Sequence, residues 1–349
     1  FFLVVKVDRP HPPNCRNPVD LIWFEQVRSD RSHILVSVEG MGIVVTPIQS
    51  FLDKLYRELR TLDDGKVASY IPELAKADPQ QFAISVMSLD GRAFQVGDCD
   101  REFTIQSISK VFVYGMALED WGRDRLLAKV GVEPTGDPFN SLIRLDETSH
   151  RPDNPMVNAG AIATTSLVPG ASAAAKWQFI RDGLSRFAGR QLAIDVEVYD
   201  SEAATNQRNQ GIARLLEAYG RVYFEPLAAV DVYTQQCALA VTAHDLAVMG
   251  ATLADGGVNP LTGERVVDAP VCKRVLAVLA TAGLYEQSGD WLYEIGLPGK
   301  SGVGGGILAI VPKRMSLAVW APGLNAQGNS ELGTLALEAL VRRTGLAVL

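Results

Sequence analysis

From residue 48 onward, apolar and polar positions recur with periods that can be read segment by segment. Ile48, Phe51, Leu52, Leu55 and Leu59 follow Pro47 at helical spacing and predict a first amphipathic helix. Residues 82–87 and 93–96 are apolar runs on either side of Leu89-Asp90-Gly91-Arg92, and an Asp-Gly turn between two such runs predicts an antiparallel hairpin. Helical patterns follow over 106–120, 160–167, 173–187, 203–219, 231–237 and 244–254. Residues 305–311 and 315–321 are strand candidates joined by Pro312-Lys313-Arg314, and a last helix is expected over 330–344. Strands early and late with helices between predict an α+β fold. Its antiparallel sheet is assembled from both chain ends and flanked by helices, and a helical subdomain is inserted over roughly residues 115–280.

Residues 1–44 read differently. Pro10, Pro12, Pro13 and Pro18 break any long helix, and the first methionine is Met41. This segment reads as an extension of unknown role, disordered or artefactual, ahead of one domain over 45–349. No internal repeat or low-complexity tract is evident.

Composition narrows the class of function. With 349 residues, 47% hydrophobic and 21% charged, the chain can bury one large core or two modest ones. A net charge of -7 leaves no broad basic surface for nucleic acid or anionic lipid. The longest apolar runs, 302–311 and 275–284, fall short of the roughly 20 residues that span a bilayer. Lys6, Asp8 and Arg9 interrupt the apolar opening before it reaches the length of a secretion signal, so a cytoplasmic location is expected. Cys15, Cys99, Cys237 and Cys272 lie far apart without a CxxC pair or a histidine at metal spacing, which points away from a zinc site or a disulfide framework. Cys237 and Cys272 sit in apolar runs and read as free, buried thiols. Neither a cofactor nor a metal is implied.

The chemistry begins with Ser107-Ile108-Ser109-Lys110, a hydroxyl and an amine three residues apart on one face at the start of a predicted helix. A lysine serves as a base only where burial or nearby positive charge depresses its pKa, and a serine at a helix N-terminus gains from the backbone dipole as negative charge develops. The spacing alone is weak, since it turns up about once by chance in a chain of this length. The bland alternative is a helix cap followed by a solvated lysine. Lys300-Ser301-Gly302, directly before the strand predicted over 305–311, changes the weighing. Serine acyl-transfer enzymes of the β-lactamase and penicillin-binding type combine Ser-x-x-Lys at a helix start with Lys-[Ser/Thr]-Gly on a facing edge strand, in this order.

Nucleotide readings of the same glycines fail on spacing: a P-loop would need glycine at Glu294, and a dinucleotide fingerprint from Gly302 would need it at Ile307. A Ser-His-Asp triad is hard to build from His150 and His244 without a Gly-x-Ser-x-Gly elbow. His244 reads as a helix-start residue and His150 as solvent-exposed in a polar loop.

Tyr70-Ile71-Pro72-Glu73-Leu74-Ala75-Lys76, Gln106 to Lys110, Asn154-Pro155-Met156-Val157-Asn158-Ala159-Gly160-Ala161, Ser201-Glu202, Arg208-Asn209 and Gly296-Leu297-Pro298-Gly299-Lys300-Ser301-Gly302-Val303 together resemble the serine-dependent glutaminase family, over roughly residues 48–346. The resemblance implies a β-lactamase-like fold and hydrolysis of L-glutamine to L-glutamate and ammonia, with no cofactor. It implies that Ser107 attacks the side-chain amide, that Lys110 accepts its proton, and that Tyr285 relays a proton to the leaving amine. The N–H groups of Ser107 and Val303 would form the oxyanion hole, with Gly302 and Gly304 allowing close backbone approach. Glu202 would pair with the substrate ammonium; Asn158, Asn209 and Tyr233 would hydrogen-bond its carboxylate and amide; Tyr70 would close the pocket.

Each of these residues has a plainer reading: Asn158 as a helix cap, Glu202 as a first-turn acid, Tyr233 and Tyr285 as core aromatics. The family resemblance also implies a homodimer or homotetramer. Two rivals remain open at this point, a penicillin-binding or β-lactamase-type serine amidase and a catalytically silent glutamine-binding protein.

Overall fold

A computed structural model describes residues 3–5, 33–38, 41–62, 65–136 and 150–349. Near the start, β1 (Leu3–Val5) lies parallel to β2 (His33–Val38), which pairs antiparallel with β3 (Met41–Pro47). The rest of the expected extension, with its four prolines and Cys15, lies outside the described residues. α1 (Ile48–Leu59) follows at once and buries Ile48, Phe51, Leu52 and Leu55, the stripe its spacing predicts.

The central sheet has five strands in the order β5–β4–β10–β9–β8, all antiparallel: β4 (Ala83–Ser88), β5 (Ala93–Gly97), β8 (Gly299–Ser301), β9 (Gly306–Val311) and β10 (Met315–Trp320). Chain ends meet where β4 pairs with β10, from Ala83 opposite Trp320 to Ser88 opposite Met315. β4, β9 and β10 are buried on both faces and read as nearly unbroken apolar runs. Their side chains still alternate. Ile84, Val86, Ile307, Ala309, Val311, Leu317 and Val319 join the core under α1 and the last helix, α12 (Glu331–Thr344), while Ala83, Met87, Leu308, Ile310, Ala318 and Trp320 join the core on the other face. Each fully buried Leu or Ile contributes about 1.5–3 kcal/mol to such a core. Gln49 of α1 donates to the Gln95 carbonyl (2.7 Å) and accepts from the Gln95 N–H (3.3 Å), so it occupies part of the open edge of β5.

The second face carries the helical lobe. α9 (Ala243–Ala254) packs directly on the sheet, and a Cβ at Gly250 would lie 2.5 Å from Leu308 and 2.8 Å from Ser316. α2 (Ser109–Trp121) is buried from Ser109 through Leu118. Around it stand α4 (Asn158–Leu167), α5 (Ala173–Ala188) and α10 (Ala269–Ala282), with α6 (Val196–Thr205), α7 (Gln207–Ala218) and α8 (Pro226–Cys237) further out. Short α3 (Arg123–Leu127) follows α2, and α11 (Ser288–Glu294) follows α10.

Several expectations shift. The helix expected from residue 106 starts as a 3-10 turn, Gln106–Ile108, and becomes α-helical only at Ser109, because Gln106 takes a left-handed φ of 50°. The helix expected over 203–219 is two helices that break at Asn206. The helix expected from 231 starts at Pro226, where Glu225 caps it by accepting from the N–H groups of Leu227 and Ala228. α10 was marked only as a helical-looking apolar run around Cys272, and neither α11 nor the small pair β6 (Phe103–Thr104) with β7 (Ala240–Val241) was in the expected pattern. Lys300-Ser301 does not merely precede β9: it forms β8, the edge strand.

Candidate active site

The approach to Ser107 is held from two sides. β6 pairs with β7, and the N–H of Ile105 donates to the Leu239 carbonyl (2.9 Å), which ties the segment before the serine to the helical lobe. Across it lies the turn from β8 into β9. A Cβ at Gly302 would stand 3.1 Å from the Ile105 carbonyl oxygen and one at Gly304 2.8 Å from that of Thr104, so residues 302–304 rest on the backbone just ahead of Ser107. Ser107 thus sits at the seam between sheet edge and lobe, 8% exposed.

Lys110, one turn into the lobe, is 2% exposed and donates to the Met156 carbonyl (3.0 Å) and to Asn158 Oδ1 (2.7 Å). Burial pulls its ammonium down to about 8. The acceptors are themselves fixed: Asn154 Oδ1 takes the N–H groups of Met156 and Val157, Asn154 Nδ2 donates to Glu133 O (2.8 Å), and a Cβ at Gly160 would collide with the Asn154 carbonyl. The Asn-Pro-Met-Val-Asn-Ala-Gly motif is therefore a turn shaped to present two oxygens to one buried amine. Asn158 is the first residue of α4 but does not cap it. Its amide faces Lys110, donates to Asn209 Oδ1 (2.9 Å), and accepts weakly from the Tyr233 hydroxyl (3.4 Å).

Tyr285 stands in a 3-10 turn (Tyr285–Gln287) between α10 and α11, with a left-handed φ of 56°. Burial pushes its phenol up to about 12, and a hydrogen bond with Ser107 is the strongest influence in the other direction. Lys300, from β8, is fully buried with its Nζ 4.0 Å from the Tyr285 ring centre; burial, then the charge of Lys110, holds it well below the usual lysine range. Two amines and a phenol are packed behind one serine.

In front of Ser107 opens a cavity of about 220 Å³. Its lining includes Tyr70, Ser107, Asn158, Glu202, Asn209, Tyr233 and Val303. Lys110 and Tyr285 lie behind that wall. Glu202, in the last turn of α6 and not at a helix start, is 8% exposed and accepts from Gln106 Nε2 (3.4 Å). Burial pushes its carboxyl up to about 7, partly offset by Gln106 and by Lys110. Tyr70 is 56% exposed at the mouth. The lining also holds Gln106, Ile71, Thr205, Asn206, Arg208 and Cys237, to which no role falls from sequence. Of these, Ile71, Gln106 and Arg208 had a signal, each standing inside a motif of the family resemblance, and Thr205 and Asn206 had none.

In a larger hollow of about 700 Å³, near Arg190, His244 and Asp245, the one hydroxyl, of Thr242, and the carboxylate of Asp245 are engaged in a helix cap, and Arg190 is tied to Asp245 at 2.8 and 2.6 Å. His244 and Asp245 open α9, where Asp245 completes a capping box with Thr242. His150 departs from expectation: it is half-buried and stacks on Tyr219 with ring centres 4.1 Å apart. Cys99, Cys237 and Cys272 are buried thiols. Among the described residues no cluster of three His, Cys, Asp or Glu side chains could hold a metal ion.

An antiparallel five-stranded sheet flanked by helices, with a site at the junction with a helical lobe, is the β-lactamase-like class of fold. A family model described as Glutaminase matches residues 65–349, and the chain belongs to the glutaminase family. It is 50% identical over 301 residues to a glutaminase of Trichormus variabilis, covering 86% of this chain and 90% of the relative. It is also 50% identical over 319 residues to glutaminase 2 of Yersinia pestis, covering 91% and 94%. Among solved structures, one described as a probable glutaminase superposes with a TM-score of 0.85 at 44% identity, covering 86% of this chain and 97% of the other. A Bacillus glutaminase gives 0.79 at 34%, covering 86% and 100%. The protein is an enzyme that hydrolyses glutamine.

Proposed function

We propose that hydrolysis runs through an acyl-enzyme on Ser107, with Lys110 as general base. One observation carries this reading: Lys110 is buried, depressed to about 8, and both its hydrogen-bond acceptors are oxygens of the 156–158 turn. A neutral amine has two N–H groups and one lone pair, so those acceptors use its donors and leave the lone pair for the serine proton. Ser107 Oγ attacks the side-chain carbonyl carbon as its proton passes to Lys110. The oxyanion is held by the N–H groups of Ser107 and Val303, a reading supported by the close packing of residues 302 and 304 on the backbone of Thr104 and Ile105. The C–N bond breaks as a proton reaches nitrogen from Lys110 through the Tyr285 phenol, and ammonia leaves. Water then attacks the ester, Lys110 again takes the proton, and Ser107 is restored as glutamate departs.

Glu202 binds the substrate ammonium, Asn158, Asn209 and Tyr233 its carboxylate and amide, and Tyr70 closes the mouth. The catalytic unit in this proposal is residues 45–349, with a helical subdomain over roughly 115–280 and residues 1–44 an appendage. The family resemblance supports a homodimer or homotetramer, and the expected cytoplasmic location belongs to the same proposal. Among the described residues no helix is long and apolar enough to cross a membrane.

Wild type and Ser107→Ala incubated with glutamine, asparagine and a chromogenic β-lactam test the mechanism. Ammonia from glutamine that vanishes in the variant supports it. Ring opening of the β-lactam alone would favour the serine amidase rival. Ammonia release that survives Ser107→Ala would sink the serine mechanism.

A further inference from the structure

Tyr285 is a poor residue for its backbone. A left-handed φ of 56° on a residue with a bulky side chain persists only where the surroundings over-determine it. The turn's own contacts supply part of that constraint: Ser288 Oγ donates to the Tyr285 carbonyl (2.7 Å) and accepts from the Leu284 N–H (3.0 Å). A Cβ at Gly283 would collide with the Gly299 carbonyl, so the end of α10 presses on β8. A second network reaches the turn from a loop that does not line the cavity, residues 322–330.

Asn329, in that loop, is fully buried. Its Oδ1 accepts from Ser301 Oγ, and its Nδ2 donates to Gln287 Oε1 (2.6 Å), which also accepts from Asn325 Nδ2 (3.0 Å). Ser301 in turn offers its carbonyl to the Tyr285 hydroxyl, at 3.5 Å. The links close a ring: Asn329 to Ser301, Ser301 to the phenol, the phenol along the turn to Gln287, and Gln287 back to Asn329. Asn329 is itself braced, its N–H donating to Asn325 Oδ1 (3.0 Å). The same loop pairs with the segment that leads to Tyr70 through reciprocal Lys66–Leu324 backbone bonds of 2.9 Å, and Leu324 packs with Ala68 and Val303.

We propose that Asn329 and Gln287 are positioning residues that hold the Tyr285 phenol against Ser107, from outside the cavity and without touching substrate. This rests on the reading of Tyr285 as the proton relay to the leaving amine. Asparagine suits position 329 because the ring needs an acceptor for Ser301 and a donor for Gln287 from one planar group. Displacing a reacting group by about 1 Å costs up to about a hundredfold in rate.

The test measures kcat and KM for Asn329→Leu, Gln287→Met, Gln287→Glu, Tyr285→Phe and the Tyr285→Phe/Asn329→Leu double variant. Two substrates are used: glutamine, and the γ-S-methyl thioester of glutamate, whose thiolate leaves without a proton. Asn329→Leu is expected to lower kcat on glutamine ten- to hundredfold, with KM within about twofold. Gln287→Met is expected to lose about tenfold, and Gln287→Glu, which keeps the acceptor oxygen, to recover most of it. On the thioester, Asn329→Leu and Tyr285→Phe should both lose little, whereas general loosening of the site would slow both substrates alike. The double variant should be no slower than Tyr285→Phe alone. Multiplying losses, or equal losses on both substrates, would overturn the inference. Should Asn329→Leu fail to fold, the Gln287 pair decides alone, and equal activity of Gln287→Met and Gln287→Glu overturns it. A fully active Tyr285→Phe would instead remove the relay, and the inference with it. That result is distinct from a slow Tyr285→Phe beside a normal Asn329→Leu, which removes only the positioning role.

Discussion

On the outer face of the sheet, Leu52, Leu55, Ile84, Val319 and Leu337 are wholly inaccessible and meet as apolar surfaces under α1 and α12. On the other side, at the edge formed by β8, burial is nearly as deep but falls on Lys110, Lys300, Glu202 and Tyr285. Removing water stabilises the fold in the first region and costs stability in the second, because each buried ionisable group is pushed toward its neutral form. The difference teaches where reactivity comes from. The same exclusion of solvent that makes a leucine a structural residue makes a lysine a base at neutral pH.

Lys110→Met should separate the two regions most sharply. Loss of the base is expected to lower kcat by about a thousandfold or more. The fold should gain, because the native pKa of about 8 lies below the usual 10.5. The unfolded chain therefore binds the proton more tightly, and wild type carries a penalty below pH 8 that is relieved as pH rises toward 10.5, worth about 3 kcal/mol at neutral pH. Thermal unfolding across pH 7–11 should show wild-type stability climbing through that window and the variant starting higher and staying flat. A variant less stable than wild type at pH 7 would mean that the buried amine stabilises the fold.

Leu337→Ala, in the apolar slab, should cost about 2–5 kcal/mol by denaturant unfolding and leave kcat/KM within about twofold at a temperature where the protein stays folded. A large loss of activity in folded protein would show that the two regions are coupled. Glu202→Gln should raise KM for glutamine on the order of ten- to a hundredfold with a smaller change in kcat, since a carboxylate facing an ammonium is lost. An unchanged KM removes Glu202 from that role. The smallest effect concerns pH. Glu202 must be ionised and Lys110 neutral, so kcat/KM should rise with pH through a limb between about 7 and 8. In Glu202→Gln the contribution near 7 should vanish, and a limb that does not move would assign it to another group.

Much of this was legible in the chain before its fold. The stripe in α1 and the last helix follow from the period of 3.6 that burial on one face imposes, and the hairpin around Asp90-Gly91 and the paired late strands follow from short apolar runs bounded by turn residues. Ser107, Lys110 and Lys300 were legible as a spaced pattern, because the catalytic types and their spacing are local. Mostly buried helices were harder: α8 shows little contrast between faces to mark its start. α10 does carry a helical period, burying Val271, Cys272, Val275, Val278, Leu279 and Ala282, which the apolar run over 275–284 obscured. The break at Asn206 and the 3-10 start at Gln106 depend on what packs beside them. So does the position of Glu202, whose neighbour in the cavity, Gln106, is 96 residues away.

By itself the sequence determined the class of fold, the family, and the residue types available for acyl transfer, since these rest on pattern and on side-chain chemistry that travels with each residue. Only the tertiary structure decided which lysine has its donors taken by Met156 and Asn158, that Glu202 is raised toward neutrality, and that Asn329 is hydrogen-bonded to both Ser301 and Gln287. The reason is physical. A pKa and a hydrogen bond depend on how much water is excluded and on which dipoles stand within a few ångströms, and those neighbours come from segments far apart in the chain.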